Sequence, residues 1–176
     1  MRGTQDFGIK YTQVGDFSLI GYSDSDSDGD KETRVSTSSY AMSIGSRAIF
    51  WRSHKQSVPA DSTTEAEYVA AAEATKEIVW LRKILEYLQV KQVQSTPLMI
   101  ENTSAIKLAK NPKFHDRTKH INTKYHLIRH HVEAKTIHLR HCSTNEKIAD
   151  MFTKALGREK IERFRTMLGL TNITSD

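Results

Sequence analysis

The chain has 176 residues, 38% of them hydrophobic and 27% charged, a size and balance that suit one compact domain able to bury roughly 70% of its unfolded surface. A single cysteine, Cys142, excludes an internal disulfide framework and a cysteine-based zinc site. The net charge of +5 favours a polyanionic partner, while no apolar run approaches the ~20 residues that span a bilayer and the opening MRGTQDFGIK has no apolar signal core. The expectation is a cytoplasmic protein, intracellular and without membrane contact.

FSLIGYS, residues 17–23, alternates loosely in β-prone residues and predicts a strand ending at the acidic turn DSDSDGDKE. SYAMSIGSRAIFWRS predicts two strands meeting at Ile44, Gly45 and Ser46, so three antiparallel strands open the domain. A long helix follows from about Ser62 to Leu88. Ser62 and Glu65 have capping-box spacing, and Ala70, Ala74, Ile78, Leu81 and Leu85 share one face. PLMIE, residues 97–101, reads as a buried strand, NTSAIKLAK and KHINTKYHLIRHHVEAK as helices, and TIHLRH as a fifth strand. STNEKIADMFTKAL, with Ser143 and Glu146 again at capping-box spacing, predicts a helix. An amphipathic helix over 157–170 follows, and TNITSD is expected to fray. The order is βββαβααβα, an α/β class without internal repeats.

Four acidic side chains stand where stability alone would not place them. Asp24 closes the first strand, and Glu101 closes the fourth. Glu67 lies in register with Ala70, Ala71, Ala74 and Ile78 on the apolar side of the long helix, where an unpaired carboxylate is costly to bury. Asp150 falls in the first half of the helix after the fifth strand. If the first and fourth strands are neighbours, their carboxyl ends bring Asp24 and Glu101 together, and the two helices deliver Glu67 and Asp150 over them. Such a set needs cations to stay ionised, and hard oxygen ligands select Mg²⁺ or Mn²⁺. Two ions about 3.5–4 Å apart can activate a water and stabilise the leaving oxygen in phosphodiester hydrolysis. The plain alternative is four solvated or salt-bridged acids.

Between Asn102 and His131 lie seven basic residues (Lys107, Lys110, Lys113, Arg117, Lys119, Lys124, Arg129) against one acid, Asp116. This is the composition of a phosphate-binding face, and equally of a solvated helix surface; the aromatics needed for base stacking are sparse. His126 and His130, at i and i+4, have the spacing of a zinc pair but lack the glutamate that a metalloprotease helix sets between them.

GYSDSD, TRVSTSSY, HKQSV, STTEAEY, ENTSAIKLAKNPKFHDRTKHI, YHLIRHHVE and IADMFTKAL, in this order and spacing, resemble the ribonuclease H domain of copia-type LTR retrotransposon polyproteins from about Gly3 to Leu156. The resemblance implies a ribonuclease H-like fold, a five-stranded mixed sheet flanked by helices. It implies residues 1–16 as the remnant of the connection from reverse transcriptase, 17–156 as the domain, and 157–176 as a C-terminal helix and tail. It implies metal-dependent cutting of the RNA strand of RNA:DNA hybrids, two Mg²⁺ or Mn²⁺ ions held by Asp24, Glu67, Glu101 and Asp150, and the reverse transcriptase portion of the same polyprotein as a partner. Nucleic acid would be gripped by Lys107, Lys110, Lys113, Arg117, Lys119 and Lys124, with His120 a candidate for proton transfer or product release. The chain departs from the family in having Glu101 for Asp, Ser27 for Trp, Ser39 for Gly and Asn122 for Asp. A catalytically inactive, nucleic-acid-binding remnant is therefore the alternative to a working nuclease.

Overall fold

The computed structural model describes residues 5–11, 17–26, 35–57, 59–110 and 122–173. Five strands form the main sheet: β2 (Leu19–Asp26), β3 (Thr37–Ile44), β4 (Arg47–Lys55), β5 (Thr96–Ile100) and β6 (Ile137–His141). Their spatial order is β4-β3-β2-β5-β6. The first three are antiparallel, while β5 runs parallel to both β2 and β6. The mixed five-stranded sheet is the one expected, and β2 and β5 are the adjacent parallel pair that the site required. At the β3–β4 hairpin, Gly45 and Ser46 both take positive φ, +54° and +61°, the two-residue turn whose twist matches the strands.

One face of the sheet carries α1 (Thr63–Tyr87), α2 (Thr103–Lys110) and α3 (Asn122–Glu133). α1 begins where its cap directs: the Ser62 hydroxyl accepts from the Glu65 amide at 3.1 Å, while the Glu65 carboxylate accepts from the Asp61 amide. Its inner face is mostly alanine, and the helix settles so close to β2 that a Cβ on Gly21 would stand 2.8 Å from Ile78 Cδ1. Leu98, Ile100, Ile128 and Ile137 complete this core.

The other face holds a second, smaller core of Ala41, Ala48, Ile148, Phe164 and Leu168, covered by the C-terminal segment. Here the structure corrects the sequence reading. The helix expected over residues 143–156 is a turn followed by a five-residue 3-10 helix, Ile148–Phe152. Ser143 and Glu146 bond to each other without capping a helix. The Ala149 carbonyl takes a hydrogen bond from Ser39 Oγ at 2.8 Å, and the amides of Asp150 and Thr153 bond three residues back. The last helix, α4 (Arg158–Met167), is three residues shorter at its C-terminus than expected. Part of the tail expected to fray is ordered: β7 (Leu170–Asn172) pairs antiparallel with β1 (Phe7–Ile9), a strand that the sequence did not announce. No helix among the described residues is long and apolar enough to cross a membrane.

Candidate active site

The parallel pairing of β2 and β5 sets the carboxyl ends of both strands on one edge of the molecule. Asp24, two residues before the end of β2, is fully buried, and Glu101 follows β5 directly. α1 contributes Glu67 from its first turns, 7% exposed, and the 3-10 helix contributes Asp150, fully buried. All four carboxylates named from the sequence converge.

They converge on a lysine. Lys147, the residue before the 3-10 helix and 2% exposed, pairs through its ammonium with Asp24 Oδ1. The same nitrogen lies 3.0 Å from Glu67 Oε1, 3.0 Å from Glu101 Oε2 and 3.9 Å from Asp150 Oδ1. Two further lysines stand around the rim. Lys154 Nζ is 3.2 Å from Asp150 Oδ1 and 4.0 Å from Asp24 Oδ2, and Lys160 Nζ is 2.7 Å from Asp150 Oδ2. Thr153 donates to Asp24 and Thr144 to Glu101. Sequence reasoning missed Lys147 and Lys154 because a lysine three before or four after an acid reads as ordinary helix-surface pairing, and Lys160 because it stands ten residues from Asp150.

The electrostatics divide the four acids. Burial pushes Asp24 up, against the nearby charge of Lys147, and pushes Glu67 up to about 7. For Glu101, burial is outweighed by the hydrogen bonds from Thr144 and Lys147, and its carboxyl is lowered. For Asp150, burial is outweighed by Lys160, Lys154 and Lys147, again a lowering. Lys147 is itself raised, the attraction of Glu67 and Asp24 overcoming its burial.

The donor chemistry fits a hard divalent cation: four carboxylates point at one positively charged centre, and Glu67 Oε2 is buried without a hydrogen-bond partner. As the side chains stand, that centre is an ammonium. Among the described residues no three His, Cys, Asp or Glu side chains are grouped to ligate a metal directly. The His126–His130 pair on α3 is accordingly without a third such ligand there.

Of the expected nucleic-acid contacts, Lys107 is exposed on α2 and Lys124 half-buried on α3. Lys113, Arg117, Lys119, His120 and the side chain of Lys110 lie outside the described residues, as do Ser27 and the side chain of Asn122. Ser39, where the resemblance expects glycine, carries a buried hydroxyl that ties β3 to the 3-10 helix. Cys142 is buried, which pushes its thiol up to about 11. A cavity of about 560 Å³ between Phe17–Ile20 and Gln89–Pro97 lies at the opposite end of β2 and β5 and holds none of these residues.

No protein-family model matches the chain. It is 41% identical over 152 residues, 86% of its length, to the retrovirus-related Pol polyprotein from transposon TNT 1-94 of Nicotiana tabacum. It is 36% identical over 173 residues, 98% of its length, to the retrovirus-related Pol polyprotein from transposon RE1 of Arabidopsis thaliana. The chain spans only 11% and 12% of these two relatives. Among solved structures it is similar to LC11-RNase H1, isolated from compost by a metagenomic approach, with a TM-score of 0.58 at 14% identity over 84% of this chain and 97% of that one. The same LC11-RNase H1 in complex with an RNA/DNA hybrid matches with a TM-score of 0.56 at 12% identity, over 77% and 93%. At such identities the likeness is one of fold.

Proposed function

The chain belongs to the retrovirus-related Pol polyproteins of copia-type transposons, as a domain of ribonuclease H fold, and on that premise we propose that it hydrolyses the RNA strand of RNA:DNA hybrids with divalent metal. The observation that carries the reading is the convergence of Asp24, Glu67, Glu101 and Asp150 at the carboxyl ends of β2 and β5, with Glu67 Oε2 left unpartnered. These four would hold Mg²⁺ or Mn²⁺. Two bound ions supply an activated water and a counter-charge for the leaving oxygen.

The rest falls to the chain's own side chains. Lys154, 40% exposed beside Asp150 and Asp24, faces solvent where a scissile phosphate would approach and offers it a fixed positive charge. Thr153 and Thr144 hold Asp24 and Glu101 by hydrogen bonds, so that their oxygens are aimed before substrate arrives. Lys107, Lys110, Lys113, Arg117, Lys119 and Lys124 grip backbone phosphates, and the minor groove's 2′-hydroxyls mark the strand to be cut. We read residues 1–16 as the connection from reverse transcriptase in the parent polyprotein, 17–156 as the catalytic domain and 157–176 as its C-terminal extension, acting in the cytoplasm.

The second reading is a catalytically inactive remnant that binds nucleic acid, and Glu101 favours it. A side chain one methylene longer than the family's Asp moves the carboxylate by about 1 Å, and misplacement of that order can cost about a hundredfold in rate. A labelled RNA:DNA hybrid incubated in Mg²⁺ or Mn²⁺ separates the two. We expect slow cleavage by the native chain, abolished in Asp24→Asn and accelerated in Glu101→Asp by up to about a hundredfold. A native chain that is inert while Glu101→Asp cleaves would identify the remnant. Silence from every folded variant would sink the nuclease reading altogether.

A further inference from the structure

We propose that Lys147 is a built-in competitor of the divalent cation, its ammonium holding the point on which the four carboxylates converge, so that metal enters as Lys147 leaves. The inference rests on the reading of this cluster as a metal site, and it adds a residue which that reading does not use. Three observations carry it. Among the described residues Lys147 alone reaches all four acids, at 3.0 Å from Glu67 and Glu101, 3.9 Å from Asp150 and in direct contact with Asp24. It is 2% exposed, so it is seated inside the cluster and is no rim charge. And Glu67 keeps one buried oxygen that the ammonium does not satisfy, which a cation with a larger coordination number would.

Charge balance points the same way. Fully ionised, the four carboxylates outweigh Lys147, Lys154 and Lys160 by one. Exchanging the Lys147 ammonium for a single divalent ion brings the cluster to neutrality, with Lys154 and Lys160 still at 3.2 Å and 2.7 Å from Asp150. In the exchange the stronger attraction of the divalent ion to the same buried acids is set against its larger cost of dehydration. The position of Lys147 makes its departure local: with φ −79° and ψ 78° it is the centre of a tight turn closed by the Ile148 amide on the Glu146 carbonyl at 3.0 Å, so side-chain rotation can withdraw its ammonium while the backbone, Ile148 and Ala149 stay in place. Metal affinity is thereby set by a lysine that is not itself a ligand.

Mn²⁺ is the probe. Binding to the native chain and to Lys147→Met is measured by electron paramagnetic resonance of the free ion, with Asp24→Asn as the control and circular dichroism to establish folding. We expect Lys147→Met to bind Mn²⁺ on the order of tenfold or more tightly than the native chain, the gain expected on removing a competing charge from a buried site. Equal affinity in both would overturn the competition and leave the metal site standing. No binding in either folded chain would overturn the metal reading and the competition together. Since Lys147→Met leaves four acids short of a counter-charge and can unfold, the native chain gives a second test. Amine acetylation followed by mass spectrometry should find Lys147 protected without metal and modified when Mn²⁺ saturates the site. Protection that persists at saturation would refute displacement.

Discussion

Ser39 Oγ donates to the Ala149 carbonyl at 2.8 Å across a buried gap between β3 and the 3-10 helix, one residue from Asp150. Removing the hydroxyl takes one hydrogen bond from a buried site, so Ser39→Ala should cost about 0.5–1.5 kcal/mol in urea unfolding. A loss under about half a kcal/mol would mean that the carbonyl finds another partner. What was legible at this scale follows from cost. A carboxylate in the apolar register of a helix, as at Glu67, or at a strand end, as at Asp24 and Glu101, is hard to explain by stability and therefore visible in sequence. Lysines carry no such signal, since a lysine near an acid on a helix is commonplace. Lys147 became conspicuous only when folding buried it, and Ser39, on resemblance alone just a departure from glycine, turns out to hold a bond.

Two serines at identical spacing from a glutamate separate what local sequence decides from what packing decides. Ser62 accepts from the Glu65 amide and starts a 25-residue helix; Ser143 bonds to Glu146 and starts none. Ser62→Ala should therefore lower stability by about 1 kcal/mol, and Ser143→Ala by no more than a few tenths, as for other exposed positions. Thermal or chemical unfolding of the pair checks this, and equal losses would show Ser143 to be a structural cap after all. α1 was readable because 25 residues of period 3.6 outvote any local accident. The 3-10 helix was not, because its course is set by Ile148 and Ala149 sinking onto the sheet, by Ser39 claiming a carbonyl and by Lys147 reaching into the acids. The three-residue strands β1 and β7 were invisible for a related reason: each is defined by its partner, more than 160 positions away in register.

At the scale of the whole molecule, the sheet has two unequal cores, and β1 with β7 helps to close the smaller one. Ile9 and Leu170 pack against that core, the Arg165 guanidinium lies 4.2 Å from the centre of the Phe7 ring, and the Tyr11 hydroxyl reaches the Ala48 carbonyl. Deleting residues 1–11 should thus destabilise the fold by about 2–3 kcal/mol, from the partial burial of Phe7 and Ile9 alone. A melting temperature that does not move would show the ribbon to be idle. The mixed five-stranded sheet was legible, since antiparallel hairpins, a long helix and two helix-separated strands leave few ways to assemble, while the adjacency of the first and fourth strands stood only as a condition. The C-terminal closure was not, because it unites segments that the sequence keeps at its opposite ends.

That closure also fixes how the domain carries load. In the register Phe7 with Asn172 and Ile9 with Leu170, with the Ile173 amide on the Asp6 carbonyl, the chain enters and leaves side by side at the same end of the ribbon. Tension applied to the two ends of the ribbon therefore meets it as a zipper, opening one rung at a time from Asp6 and Ile173 inward, while the main sheet feels no shear until the ribbon has parted. The main sheet hangs from the ribbon as a pendant, and a pull on the two ends of β1 and β7 would be spent on their three rungs before it reached Asp24.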